Sequence, residues 1–197
     1  RPEEKSNKFY MQFFPEGGHL VQGIQAKVAF KAFNQTDSLM EISIYSPVGE
    51  LLGQTTTVHD GMGSFIYTPT DKPGTVKVKH GKKEHSFTLP EALPTGHVMR
   101  AIHRDGQLNV QINKSNSLLE DTLGLFVFAG NAPYAFKELT DNVPSQLVRF
   151  KTKDLPAGVS RLTLINKQGE IVAERLFFVS PNSSAQIAVE GLKKAYS

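Results

Sequence analysis

The sequence predicts an all-β chain built as two sandwich domains in series. Three observations carry that expectation. Apolar residues alternate with polar ones over short runs, turn residues punctuate the runs, and one strand–turn–strand pattern occurs twice. A period of two places successive side chains on opposite faces of a strand, and its recurrence about every ten residues is typical of sandwiches and barrels.

The elements follow in order. Val28, Phe30 and Ala32 share one face of a run whose other face carries Lys27 and Lys31; Met40, Ile42 and Ile44 oppose Glu41 and Ser43. Val76 and Val78 oppose Lys77 and Lys79, and Leu108, Val110 and Ile112 oppose Gln107, Asn109, Gln111 and Asn113. Between the runs stand Pro47-Val48-Gly49, Asp60-Gly61, Pro73-Gly74, His80-Gly81, Asp105-Gly106 and Gln168-Gly169. Asp105-Gly106, flanked by two apolar runs, is the strongest hairpin signal. Leu123 to Phe128 is apolar on both faces, as a central or interface strand would be. Helical periodicity is confined to a turn at Ser115–Asp121 and a short segment at Gln186–Tyr196 broken by Gly191.

The repeated pattern runs from Phe65 through Pro73-Gly74 and Gly81 to Phe87, and again from Phe150 through Pro156, Gly158 and Gly169 to Phe177. The copies lie roughly 85–90 residues apart, the spacing of two immunoglobulin-sized sandwiches. Between them, Leu89-Pro90-Glu91-Ala92-Leu93-Pro94-Thr95-Gly96 cannot continue a central strand, because proline donates no ladder hydrogen bond. These features set the expected limits: a first sandwich over 8–92, a second over 96–180, and a tail over 185–197 that begins a third domain.

Bulk properties narrow the function classes. The 197 residues suffice for two small cores, with thirteen Phe and no Trp to fill them. A net charge of +3 is too small to indicate nucleic acid or membrane unless it is clustered. The absence of Cys removes disulfides, thiolate metal sites and cysteine nucleophiles. No apolar run reaches the ~20 residues of a membrane helix. A first residue Arg1, without a signal segment, leads us to expect a piece of a longer or processed protein.

Particular residues then resemble a known family. Phe13-Phe14-Pro15-Glu16-Gly17-Gly18, with Leu20-Val21, Gly23 and Val28 to Ala32, is similar to the opening of a macroglobulin-type domain. Gly61-Met62-Gly63-Ser64-Phe65 with Thr68-Pro69 resembles that family's mid-domain stretch. Leu155 to Val159, Gly169 and Ala173 to Val179 look like the close of a following domain, and Lys193 to Tyr196 like the start of another. The stretch from His97 to Leu147 carries no such motif. The resemblance implies sandwiches strung along large exported proteins of Gram-negative bacteria, some associated with outer-membrane transport. The thioester segment of trapping macroglobulins needs Cys, so the resemblance implies no covalent capture here. The expected fold class is therefore all-β, with two tandem immunoglobulin-like/macroglobulin-like β-sandwich domains.

Each candidate for chemistry has a plainer structural account. Ser64 in Gly61-Met62-Gly63-Ser64-Phe65 lacks the strand–turn–helix context of a nucleophile elbow, and the glycines suit a tight turn into a strand. Pro15-Glu16-Gly17-Gly18 lacks the Gly-Lys-Ser/Thr and helix of a phosphate loop, so its glycines suit a turn at positive φ. Among His19, His59, His80, His85, His97 and His103, no two have the spacing of a zinc pair on a helix. His97 and His103 could share one strand face; all six are expected at surfaces or in loops. Lys77, Lys79, His80, Lys82, Lys83 and His85 form the densest positive cluster, which fits a solvated strand face that deters edge pairing. Tyr45, Tyr67, Phe126, Phe128, Tyr134 and Phe136 could form a sugar platform; core packing is the default, with Tyr134 exposed on a loop after Asn131. Glu120-Asp121 and Glu174-Arg175 are neighbours whose side chains diverge on a strand.

The expectation is a non-enzyme: no catalytic residue, no cofactor, no metal. It is a spacer and interaction module of a larger, extracytoplasmic protein. Expected partners are other domains of the same longer chain or envelope proteins, with no nucleic acid and no direct membrane insertion. A carbohydrate- or peptide-binding module would instead place a cleft at the domain junction or aromatics around Tyr134. An accessory domain of an enzyme catalytic elsewhere is the remaining alternative.

Overall fold

The structure, a computed structural model, describes residues 9–33, 39–80 and 83–180. Gly81, Lys82 and the tail with its expected helix and third-domain start lie outside the described residues. The first half contributes β1 (Tyr10–Pro15), β2 (Leu20–Val21), β3 (Ala26–Phe33), β4 (Glu41–Tyr45), β5 (Leu51–Thr56), β6 (Met62–Tyr67), β7 (Thr75–His80) and β8 (Lys83–Thr88). After β9 (Ala92–Leu93) come β10 (His97–Arg104), β11 (Gln107–Lys114), β12 (Leu123–Ala129), β13 (Ala132–Leu139), β14 (Ser145–Lys151), β15 (Gly158–Asn166) and β16 (Ile171–Val179).

The same topology is built twice. A three-stranded sheet β1-β3-β6 faces a four-stranded sheet β5-β4-β7-β8; farther on, β10-β11-β14 faces β13-β12-β15-β16. The repeated sequence pattern maps onto equivalent strands, β6-β7-β8 and β14-β15-β16. Its Pro/Gly turn marks the crossing from the small sheet to the large one.

Alternation sets both cores. Val28, Phe30, Ile42, Ile44, Val76 and Val78 are buried between the first pair of sheets, and Val110, Ile112, Leu125, Val127, Leu162 and Leu164 between the second pair. Fully burying such a side chain contributes about 1.5–3 kcal/mol. The division falls inside β10, where Val98 packs into the first core and Met99 into the second.

The Asp105-Gly106 hairpin joins β10 to β11, with φ of 52° and 70° at its two residues. Positive φ at both central residues defines a type I′ turn, which matches the strand twist. The turn expected near Ser115 is a single 3₁₀ turn over Asn116–Leu118.

The Pro-rich joint continues no central strand; within it Ala92 and Leu93 pair in parallel with Leu20 and Val21, flanked by Pro90 and Pro94. Two expectations need correction. Tyr134 is 55% exposed but lies on β13, not on a loop. The platform aromatics also divide: Tyr67 is buried, whereas Phe126, Phe128 and Phe136 form a cluster on the outer face of the second large sheet. A strand apolar on both faces fixes its central place but not whether the second face is covered.

Gly63 explains the Gly-x-Gly-Ser sequence better than turn geometry does. A Cβ there would lie 2.4 Å from Cζ of Phe30, whose ring occupies the missing side chain's space. Gly61, with φ of 70°, serves the turn. Gly63→Ala is expected to lower the unfolding free energy by about 1–3 kcal/mol through overpacking, read from urea denaturation. An unchanged midpoint would mean that Phe30 moves aside freely.

Candidate functional site

The candidate site is the junction of the two sandwiches, and it starts from the turn Pro15-Glu16-Gly17-Gly18. Gly17 and Gly18 take φ of 90° and 109°, which glycine adopts without a Cβ penalty. The turn reaches the second sandwich where β10 and β16, the edges of its opposing sheets, leave a seam. There Glu16 Oε1 accepts the Ala101 N–H of β10 at 2.7 Å, and the Gly17 carbonyl accepts the Glu174 N–H of β16 at 3.2 Å. Arg175 donates from β16 to both Glu16 and the Ala101 carbonyl. A Cβ on Gly17 would stand 3.0 Å from the Met99 carbonyl oxygen, so only glycine permits this approach.

The opposite side of the joint is also bonded. Gln22 N–H donates to the Leu93 carbonyl at 2.9 Å, and Gly96 and Ser115 exchange two hydrogen bonds of 3.0 Å each. Gly96 packs on Val21, with a virtual Cβ only 3.0 Å from its methyl.

Two clefts flank the junction. One, of about 480 Å³, lies between the outer face of β1-β3-β6 and the Glu174–Arg175 segment; its walls include Phe14, Val58, Met62 and Lys27. The other, of about 360 Å³, is polar and lined by Gln25, Arg100, Gln111, Asn113 and Ser145. Ser64 and His59 both line the first cleft. Among the described residues no hydrogen bond joins them. Asp60, beside His59, instead pairs with Lys31, which holds its carboxyl below the usual carboxylate range.

The other predicted residues scatter. Lys77 pairs with Glu84 at 3.2 Å and lies over the Tyr45 ring, while Lys83 starts the edge strand β8. His19, His59 and His103 are exposed and His85 packs beside Phe9. Among the described residues no three His, Asp or Glu side chains gather as metal ligands. Glu174 and Arg175 diverge as expected: Glu174 approaches Arg161 at 3.5 Å on the outer face, and Arg175 enters the junction.

His97 is a correction, because it is only 8% exposed and not at the surface. Its partner in burial, Lys114, carries no signal in the sequence beyond its place at the end of an alternating run. The Lys114 ammonium donates to the carbonyls of Asp121 at 2.6 Å and of Leu119 and Asp141 at 3.4 Å. These bonds tie two loops to the base of the second sandwich.

No family model matches the chain, and no curated protein does. Among solved structures it is similar to a biofilm associated protein BSP domain, at 14% identity and TM-score 0.36 over 87% of this chain. It spans only 30% of that protein's chain. It is also similar to a two-domain fibronectin type-III segment from chicken tenascin (11% identity, TM-score 0.30, 85% of this chain and 99% of that one). The human OSCAR ligand-binding domain aligns at 8% identity and TM-score 0.31, over 86% and 97% of the two chains. The chain's own sheets and cores define its class as tandem immunoglobulin-like β-sandwich domains.

Burial holds His97 below the ordinary imidazole value of 6.5; Asp121 opposes that shift and Lys114 adds to it. The unfolded chain thus binds a proton that the folded chain refuses until lower pH. This contribution to stability is complete above pH 6.5 and is lost as pH falls toward the depressed folded value. His97→Gln is expected to flatten part of the fall in Tm between about pH 7.5 and pH 5. Parallel Tm–pH curves for the two proteins would contradict it.

Proposed function

We propose that the chain is a non-catalytic spacer and interaction module of a larger, envelope-exported protein, with its sandwiches of macroglobulin type. The observation that carries this is the bonded junction, in which a turn of one sandwich bonds to Ala101 and Glu174 on the two edge strands of the next. A spacer must keep the angle between its units, and a joint crossed by charge-assisted hydrogen bonds and a parallel strand pair resists bending. The module is assigned to the periplasm or surface of a Gram-negative bacterium. Its partners are other domains of the longer chain or envelope proteins; nucleic-acid binding and membrane insertion by these residues are not part of the assignment.

One observation favours a second role, that of a ligand-binding module. The 480 Å³ cleft at the junction joins apolar walls at Phe14 and Met62 to the cation of Lys27, the mixture small ligand sites use. Peptide or glycan binding that Met62→Lys abolishes would move the assignment to this role.

The spacer reading is tested by small-angle scattering on the chain and on Arg175→Met. One conformation should describe the parent, and the variant should need a spread of inter-domain angles. Glu16, with a 9% exposed side chain, loses its counter-charge in that variant. The expected loss of stability is about 2–3 kcal/mol, less than for a fully buried pair because Arg175 is partly exposed. A parent that itself requires a broad ensemble would sink the spacer assignment.

A further inference from the structure

The polar cleft at the junction holds a cation without a partner. It lies on the outer face of the second small sheet. There Arg100 of β10 stands directly across from Gln111 of β11, and Asn113 of β11 across from Ser145 of β14. Residues opposite each other on antiparallel strands share a face, so these four side chains form one patch. Val98, on the same face of β10, is buried in the first core, so the first sandwich closes one end of the patch. A further wall is the turn Gly23-Ile24-Gln25 of that sandwich. Its backbone is held by bonds from the Gly23 N–H to the Pro69 carbonyl (2.9 Å) and from the Ile24 N–H to the Val21 carbonyl (3.1 Å). Both sandwiches thus build the cleft, and its volume of about 360 Å³ falls within the roughly 300–1,000 Å³ of small-molecule sites.

The lining is one-sided in charge. No Asp or Glu borders the cleft, and its two cations are Arg100 and Lys114. Lys114 is buried and donates its ammonium N–H groups to the carbonyls of Leu119, Asp121 and Asp141. Arg100 has no such outlet. Among the described residues its side chain makes no ion pair and no hydrogen bond, and its Nε is shielded from solvent without an acceptor. A partly desolvated guanidinium attracts an anion more strongly than one in open water, because the local dielectric is lower. Around it, the amides of Gln25 and Asn113 also have no side-chain partner among the described residues, while Gln111 donates to Ser145 Oγ at 3.2 Å. Each amide offers donors and an acceptor, which a hydroxyl can meet with its own.

We infer that this cleft binds an acidic sugar, with its carboxylate on Arg100 and its hydroxyls on Gln25, Gln111 and Asn113. The unmatched charge selects an anion, and the planar fork of arginine fits a carboxylate. The amides favour a hydroxylated acid over a fatty or aromatic one, which would need more apolar wall than Ile24 and Pro144 supply. The site is separate from the cleft at Phe14 and Met62, and it does not depend on the spacer role. A sugar held by Gln25 of one sandwich and Arg100 of the other would also bridge the joint.

The test is an NMR titration of the full, isotope-labelled 197-residue chain with glucuronate, glucose and acetate. Glucuronate should move the side-chain amide signals of Gln25 and Asn113 with a millimolar midpoint. Glucose lacks the charge and acetate lacks the hydroxyls, so each should need about tenfold more or give no response. Arg100→Gln should weaken glucuronate about tenfold or more, and Gln25→Ala, on an exposed turn, about threefold. Unchanged backbone signals away from the cleft show that both variants are folded. No movement at about 50 mM glucuronate overturns the inference. An equal response to glucose or to acetate does so too, as does a glucuronate response that both variants leave intact.

Discussion

Edge strands constrain the whole arrangement. Two packed sheets leave backbone donors and acceptors unpaired along their borders, and such groups either bond to water or recruit another chain. In the second sandwich the borders on one side are β10 and β16, and the turn at Glu16-Gly17 bonds to one residue of each, Ala101 and Glu174. The energies explain why this acts as a positioning device. A hydrogen bond to a charged group contributes about 1.5–3 kcal/mol net. Desolvating each ion of a buried pair costs several kcal/mol. The two nearly cancel, so the Glu16–Arg175 contact adds little free energy but penalises every arrangement that leaves Glu16 buried and unpaired.

That penalty gives the short joint its meaning. Residues 92–93 are drawn into a parallel pair with β2, Gly96 is bonded to Ser115, and Val98 and Met99 face different cores. The connection therefore has no length of free chain in which to bend. Within the joint the Ala92–Leu93 pair is held to the first sandwich and Gly96 to Ser115 of the second. Local strand chemistry at the joint thus becomes a mechanical property of the pair of domains.

Much of the fold was legible in the sequence because a buried face imposes period two wherever it occurs. Val28, Phe30, Ile42, Val76, Val110 and Ile112 each lie inward as the alternation requires. The repeated Pro/Gly pattern was legible for a related reason: equivalent strands cross between equivalent sheets. The junction was not. Glu16 and Arg175 are separated by 159 positions, and nothing local marks either as a partner. Gly17 is the turn residue the sequence suggests, but its close approach to the Met99 carbonyl was not visible there, and Gly63 looked like a turn residue although the Phe30 ring occupies its Cβ position. His97, expected at a surface or in a loop, and Lys114 stand opposite each other at the ends of two runs and are both buried. Their burial depends on loops that fold over them from elsewhere in the chain.

Phe126 and Phe128 show where periodicity stops being informative. An apolar residue on the second face of a strand predicts cover, and the pattern cannot say whether the cover lies within the chain. The comparison that decides is internal. The first sandwich solves the same packing problem with Ser43 and Lys77 outside. The second uses the first sandwich's turn to guard one border and leaves an aromatic sheet face open. One unit of the tandem therefore contributes a turn that bonds to the other, and the other leaves an aromatic sheet face partly in solvent.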